Sequence, residues 1–202
     1  MDNIQIRTMG AIQTRDAGGV EENSKPIIEG YFAVFDEVYN IFDGYAERID
    51  PHAFDSSING DIRALIDHNT AEVLGRTTAA TLTLKVDDRG LYGVISVNPN
   101  DRGAMDLYAR VQRGDVNQCS FGFVINQARD EYRNDGTILT TITDLTLFEV
   151  SVCTFPAYET TAVQARAKDA HDNALKRWRA DMLARLNPAD DNTPEKEINK
   201  DA

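Results

Sequence analysis

The chain has 202 residues, of which 42% are hydrophobic, so it is long enough for one folded domain with a sizeable core plus terminal appendages. Its formal net charge of −12 would repel nucleic-acid phosphates and anionic membrane surfaces, which argues against nucleic acid and membrane as partners. The first residues lack a basic stretch followed by an apolar one, and no apolar run could span a bilayer, so we expect a soluble, non-exported protein.

The N-terminal residues are predicted to form an arm outside the folded domain. Residues 2–9 have the pattern of a short strand, whereas residues 13–26 are polar and have no strand or helical period. From residue 27 the sequence turns to β-branched and aromatic residues, which are typical of a strand. We therefore expect a flexible arm over residues 1–26 and a domain over residues 27–166.

Three elements are predicted between the start of this domain and its centre. Residues 61–68 form a strand that ends at His68, followed by a loop, and a strand end can present a side chain to a cleft. Residues 81–97 contain two runs of alternating polarity around a turn sequence, which predicts a β-hairpin. Residues 101–113 carry apolar residues three and four apart, with a capping residue before them and a glycine after them, which predicts an amphipathic helix.

The segment 117–125 is a strand that carries a candidate nucleophile, Ser120. Side chains alternate along a strand, so Cys119 faces inward with the neighbouring phenylalanines and Ser120 lies on the opposite face. Gly122 stands beside Ser120 on that face, and its missing side chain leaves room near the hydroxyl. A serine on a strand is usually structural, so the case depends on what could activate it.

Residues 145–155 form a second apolar strand with an acid in its middle, Glu149. Regular alternation predicts that Phe148, Val150 and Val152 share one face, and that Leu147, Glu149 and Ser151 share the other. A buried carboxylate needs a partner, because leaving it unpaired costs several kcal/mol.

His68, Ser120 and Glu149 are together the residue types of an acyl-transfer site. Such a site needs a nucleophilic hydroxyl, a base in hydrogen-bond reach of it, and an acid that fixes the imidazole tautomer. Separate strands of one sheet can bring these three residues together, since neighbouring strands lie about 4.8 Å apart.

Each assignment has a competitor in the sequence. Asp67 and Asp144 compete with Glu149 as the acid, and Cys119 competes with Ser120 as the nucleophile. His68 could instead bond a backbone carbonyl in a loop, and Glu149 could pair with an arginine such as Arg63 or Arg110.

No cofactor or metal is expected. The three histidines have no Cys or His partner at ligand spacing, and Cys119 and Cys153 lie in apolar strand-like sequence, so we expect buried free thiols. After the domain, residues 167–187 predict an amphipathic helix with an apolar stripe around Trp178, and residues 188–202 predict a disordered charged tail.

Five blocks in order carry a resemblance to a known family, the prohead serine proteases of tailed phages, which are related to the herpesvirus assemblins. The resemblance spans about residues 27–166. The blocks are EGYFAVF at 29–35, ERIDPHAF at 47–54, ALIDHN at 64–69 with LGR at 74–76, CSFGF at 119–123 and LFEVSVCTFPAY at 147–158.

The resemblance implies a fold and an activity. The implied fold is mainly β with flanking helices (α+β), as a closed or partly closed antiparallel β-barrel like that of the herpesvirus protease. The implied activity is a serine endopeptidase with Ser120 as nucleophile, His68 as general base and then acid, and Glu149 as the third member.

The resemblance also implies partners and a location. Such proteases lie inside the immature capsid in the host cytoplasm and cut scaffold, the scaffolding segment of the major capsid protein, and themselves. We expect the helix over 167–187 to dock to capsid or scaffold protein, with a homo-oligomer as a further expectation. The alternatives are a catalytically silent capsid-assembly factor with the same barrel and a small-molecule serine hydrolase, which is disfavoured because the chain has no Gly-x-Ser-x-Gly elbow.

Overall fold

A computed structural model describes residues 4–16 and 26–155 of the chain. These residues form ten strands, one α-helix and a single 3-10 turn at Thr77–Ala79. The elements in chain order are β1 Gln5–Asp16, β2 Pro26–Val34, β3 Tyr39–Phe42, β4 Tyr45–Ile49, β5 Arg63–Ile66, β6 Asn69–Arg76, β7 Leu82–Val86, β8 Gly90–Ser96, α1 Arg102–Arg113, β9 Gln118–Tyr132 and β10 Ile138–Cys153.

All ten strands belong to one sheet, in the order β3-β4-β10-β9-β1-β2-β8-β7, with β5 attached to β10 and β6 attached to β5. The long strand β10 is antiparallel to β9 along its whole length, whereas its first half is parallel to β4 and its second half is parallel to β5. The prediction of a mainly β protein is therefore confirmed.

The predicted closed or partly closed antiparallel barrel is not what the described residues form. Their sheet is open, with β3 and β7 at the ends of the strand order, and it is mixed because β10 has two parallel neighbours. The predicted helix over 167–187 and the tail over 188–202 lie outside the described residues.

The N-terminal strand β1 differs from the predicted arm. Residues 5–16 lie inside the sheet between β9 and β2, and residues 17–25 lie outside the described part. The short strand predicted over 2–9 overlaps β1, whose charged Arg7 points into the protein, where only 3% of the residue is exposed. Arg7 is held there by two hydrogen bonds from its guanidinium to the carboxylate of Glu47 on β4, at 2.7 and 3.0 Å.

The predicted helix and hairpin are confirmed. The helix α1 begins after Asp101, whose side chain accepts a hydrogen bond from the Ala104 backbone N–H at 3.2 Å, and ends at Gly114 with a positive φ of 86°. The strands β7 and β8 pair antiparallel. No helix within residues 4–16 and 26–155 is long and apolar enough to cross a membrane.

The hydrophobic core lies on the inward face of β9 and β10. Phe121 and Phe123 on β9 are fully buried and stack with ring centroids 4.8 Å apart, and Phe54 packs against Phe121 at 5.8 Å. Cys119 points to the same face and is also fully buried, as the alternation predicted. Ser120 and Gly122 therefore lie on the opposite face of β9 from these phenylalanines.

The ion pair between Arg7 and Glu47 gives a stability prediction. Glu47→Gln removes the negative charge opposite a buried guanidinium, so we expect the free energy of unfolding to fall by about 3 kcal/mol or more. The matched control is Glu131→Gln, because Glu131 is mostly exposed and lies 3.9 Å from Arg133. We expect that change to cost less than about 0.5 kcal/mol. Urea unfolding of both variants measures the difference, and equal costs would contradict the structural role of the buried pair.

Candidate active site

A β-bulge in β10 determines which side chains reach the site. Leu147 pairs with Phe123 and Glu149 pairs with Gly122, so Phe148 is an extra residue in the ladder. Phe148 is 41% exposed, whereas Leu147 is buried in the core. The prediction that Leu147 shares a face with Glu149, and Phe148 a face with Val150, is wrong because it assumed unbroken alternation.

The bulge leaves Glu149 and Ser151 on the same face as Ser120 and Gly122. In the antiparallel ladder Glu149 lies opposite Gly122, and Ser151 lies opposite Ser120. The Glu149 carboxylate fills the space above Gly122, since a Cβ added there would lie 2.3 Å from Oε1. The room that the sequence predicted beside Ser120 is thus occupied by the acid.

His68 lies in a tight turn, where the sequence predicted the end of a strand before a loop. Asp67 and His68 form the two-residue turn between β5 and β6, and their φ angles are 47° and 60°. Positive φ at both positions matches the hairpin twist, but it is costly for residues other than glycine. The next residues, Asn69–Arg76, are the strand β6 and not a loop. Most of them are exposed and their pairing with β5 is irregular, which explains why the sequence has no strand pattern there.

Several bonds from β10 and from Thr154, the residue that follows it, hold this strained turn in place. The Asp67 backbone N–H donates to the Val152 carbonyl at 3.0 Å, and the Asp67 carboxylate accepts from the backbone and the hydroxyl of Thr154 at 2.8 and 3.2 Å. The His68 backbone N–H donates to Ser151 Oγ at 3.2 Å. These contacts place the imidazole over the outward face of β10.

The imidazole of His68 and the carboxylate of Glu149 form a hydrogen-bonded pair. His68 Nδ1 lies 2.8 Å from Glu149 Oε1, and only 19% and 12% of the two side chains are exposed. A carboxylate can only accept, so the proton of the neutral ring is on Nδ1 and Nε2 is free to accept a proton. The second carboxylate oxygen, Oε2, accepts a hydrogen bond from Ser151 Oγ at 2.5 Å.

Cys153 lies on the other side of the imidazole, with its Sγ 3.7 Å from His68 Nε2. Burial raises the pKa of the Cys153 thiol to about 12, and the negative charges of Asp67 and Glu149 add to this effect. The group beside Nε2 is therefore a neutral thiol at physiological pH. Both cysteines are free and buried, which confirms that prediction. Burial also raises the pKa of Cys119, which argues against it as a nucleophile.

Ser120 is fully buried on the same face, and its hydroxyl is bonded to a different group. Ser120 Oγ donates to the Arg7 carbonyl of β1 at 2.7 Å, and this is the hydrogen bond that its side chain makes among the described residues. The structure therefore brings His68 and Glu149 into contact and places Ser120 on the neighbouring strand, with its hydroxyl turned toward β1. The sequence could not indicate the Arg7 carbonyl, because β1 was predicted as part of an arm.

The competing acids make other contacts. The Asp67 carboxylate is bound to Thr154, as described above. Asp144 accepts hydrogen bonds from Ser56 and Asn126, which hold the pKa of its carboxyl below the usual range. Arg63, the predicted alternative partner of Glu149, bonds to Asp61. Glu149 is thus the acid that contacts His68.

A cavity of about 420 Å³ lies beside the turn, between β6 and α1. Ile66, the residue before Asp67, forms part of its wall, and residues 71–74 of β6 form another part. Its lining mixes apolar side chains with carboxylates and one guanidinium, from Arg110. Within residues 4–16 and 26–155, no cluster of three or more His, Cys, Asp or Glu side chains is arranged to hold a metal ion.

The chain is similar in sequence to known proteins. The model of the caudovirus prohead serine protease family matches residues 11–176. The chain is 34% identical over 150 residues to the prohead protease of Enterobacteria phage HK97, which covers 71% of this chain and 61% of that protein. The chain thus matches less than two thirds of the length of this curated relative.

A solved structure supports the fold. The bacteriophage T4 capsid assembly protease, gp21, superposes with a TM-score of 0.52 at 13% sequence identity. The match covers 76% of this chain and 98% of that one. At this identity the likeness concerns the fold alone.

The contact between Gly122 and Glu149 gives a second prediction. Gly122→Ala places a methyl group where the Glu149 carboxylate lies, so we expect overpacking to lower the free energy of unfolding by about 1–3 kcal/mol and to displace the carboxylate from His68. The matched control is Gly103→Ala on α1, whose Cβ would meet only an Asp101 oxygen at 3.5 Å. That change should stabilise the helix by about 0.5–1 kcal/mol.

Urea unfolding measures both effects, and the ring resonances of His68 in NMR spectra report on the carboxylate. A Gly122→Ala variant that is as stable as the wild type, with unchanged His68 resonances, would contradict the observed packing.

Proposed function

The chain belongs to the family of caudovirus prohead serine proteases, and we propose on this premise that it is a serine endopeptidase of capsid maturation. The observation that carries the proposal is the hydrogen bond between His68 Nδ1 and Glu149 Oε1, on the face of the β9 and β10 ladder that also carries Ser120. Acyl transfer to a hydroxyl requires an imidazole that an acid orients and a serine that this imidazole can reach, and the pair of His68 and Glu149 supplies the first of these.

The proposed mechanism assigns one role to each residue. Ser120 Oγ attacks the carbonyl carbon of the substrate peptide while His68 Nε2 takes its proton. The tetrahedral intermediate then collapses, the C–N bond breaks, and the protonated imidazole gives this proton to the leaving amine. Water attacks the acyl-enzyme by the same route, and His68 returns the proton to Ser120. Glu149 keeps the Nδ1 proton in place and stabilises the imidazolium through both half-reactions.

The bond from Ser120 to the Arg7 carbonyl has to break before attack. Rotation about the Cα–Cβ bond of the serine moves its oxygen between staggered positions without moving the strand. The loss of one neutral hydrogen bond costs about 1 kcal/mol, which is small against the barrier of peptide hydrolysis.

A cysteine nucleophile is the second candidate chemistry, because Cys153 Sγ lies 3.7 Å from His68 Nε2. The thiolate, not the thiol, is the nucleophilic form of cysteine. Since burial raises the pKa of Cys153 to about 12, a thiolate would be scarce at neutral pH. Ser120 is therefore the nucleophile that we favour.

The proposed substrates are polypeptides of the capsid. Family membership supports scaffold or the scaffolding segment of the major capsid protein as substrates, together with self-cleavage inside the immature capsid in the host cytoplasm. The cavity between β6 and α1, which shares Ile66 with the His68 turn, could receive a substrate side chain. The alternative is a catalytically silent capsid-assembly factor with the same sheet.

The prediction that separates these functions concerns Ser120. Ser120→Ala should lower cleavage of the capsid protein by on the order of 10⁴-fold or more, because the attacking oxygen is removed. The matched control is Ser56→Ala, a serine whose hydroxyl bonds Asp144 away from the site. The measurement is co-expression of each variant with the capsid protein encoded by the same phage, followed by mass spectrometry of the products.

Wild type and Ser56→Ala should yield the same fragments, and Ser120→Ala should yield intact capsid protein. Equal cleavage by wild type and Ser120→Ala would contradict the serine assignment. If Cys153→Ala alone abolished cleavage, the thiol would be the nucleophile. Absence of cleavage by the wild type during assembly would support the silent alternative.

A further inference from the structure

Ser151 makes two hydrogen bonds that connect the acid to the histidine, and the three-residue mechanism uses neither. Its hydroxyl donates to Glu149 Oε2 at 2.5 Å and accepts from the His68 backbone N–H at 3.2 Å. We propose that Ser151 is a positioning residue for the reaction. It is a fourth member of the site, and it keeps the Glu149 carboxylate and the His68 imidazole in their relative positions. This inference rests on the proposed endopeptidase function.

The first bond fixes the orientation of the carboxylate. A carboxylate held at one oxygen can rotate about its terminal torsion, which has a broad energy profile. Glu149 is instead held at both oxygens, by His68 Nδ1 at Oε1 and by Ser151 Oγ at Oε2. The oxygen that faces the imidazole therefore stays in place while charge develops on the ring.

The second bond fixes the backbone that carries the imidazole. His68 has a φ of 60°, a conformation that is costly for a residue with a side chain and is kept only where the surroundings impose it. Ser151 Oγ accepts the backbone N–H of this same residue, so one hydroxyl restrains both the acid and the strained turn.

A buried serine hydroxyl can find a hydrogen-bond partner without contacting a catalytic residue. Ser120, directly opposite in the ladder and equally buried, donates to a backbone carbonyl of the neighbouring strand. Ser151 donates instead to the Glu149 carboxylate, which contacts the His68 imidazole. A buried hydroxyl needs a hydrogen-bond partner, but it does not need this one, and the choice of partner supports a positioning role.

The test compares Ser151→Ala with a control substitution that removes a similar hydrogen bond on the same strand. Thr140→Val is the control, because Thr140 is buried on β10 and its hydroxyl donates to the Asp130 carboxylate at 2.7 Å, eleven residues before Ser151. Both variants remove one hydroxyl-to-carboxylate bond. A purely structural role predicts similar consequences for both.

We expect Ser151→Ala to lower kcat for a cleavable capsid-derived peptide by about 10- to 100-fold, because misplaced catalytic groups have effects of this size. KM should change by less than roughly twofold, and Thr140→Val should leave both constants within roughly twofold of the wild type. Ser151→Thr, which keeps the hydroxyl, should recover most of kcat.

A second measurement does not depend on turnover. The NMR resonance of the His68 Nδ1 proton reports its hydrogen bond to Glu149, and it should shift or broaden in Ser151→Ala but not in Thr140→Val. If the wild type proves inactive, the proposed function fails, yet this resonance still decides the role of Ser151.

Three results would overturn the inference. The first is an equal kcat in Ser151→Ala and Thr140→Val. The second is an unchanged Nδ1 resonance in Ser151→Ala. The third is a serine-directed fluorophosphonate that labels Ser120→Ala but not Ser151→Ala, which would make Ser151 the nucleophile.

Discussion

The carboxylate of Glu149 is the constraint on which the site depends. A charge that is largely removed from water has to be satisfied by hydrogen bonds, and both of its oxygens are, by His68 and by Ser151. Gly122 provides the space that the carboxylate fills, and the bulge at Phe148 turns the side chain away from the core. Three local irregularities therefore accommodate the Glu149 carboxylate: the glycine at position 122, the bulge at Phe148 and the turn that carries His68.

The position of β1 links the fold to the state of the proposed nucleophile. Its Arg7 side chain is anchored to Glu47 on β4, while its Arg7 carbonyl accepts a hydrogen bond from the Ser120 hydroxyl. The acid and base are already paired, whereas the serine is bonded to backbone. For its proton to pass to His68, the Ser120 hydroxyl has to leave the Arg7 carbonyl, and rotation about its Cα–Cβ bond is the local movement that releases it.

Periodicity predicted the elements that have unbroken local patterns. The helix α1 with its Asp101 cap, the β7 and β8 hairpin, and the inward face of Cys119 all follow from spacing. The bulge was missed because one extra residue in a strand leaves no mark in an apolar sequence. The sequence predicts a short strand over 2–9 but not the continuation of β1 to Asp16 or its place inside the sheet, because Arg7 is compensated by Glu47, forty residues away along the chain. His68, Ser120 and Glu149 could be selected by residue type and resemblance, but their contacts come from long-range pairing of β5, β9 and β10.

The central claim is that Ser120 attacks with the help of an imidazole held by Glu149. A crystal structure of the protein after reaction with a peptidyl phosphonate tests it most directly. The account predicts phosphorus bonded to Ser120 Oγ, that oxygen turned away from the Arg7 carbonyl, and His68 Nε2 within hydrogen-bond distance of the adduct while Nδ1 still contacts Glu149. An adduct on another residue, or an imidazole that remains beyond reach of the Ser120 oxygen, would contradict the account.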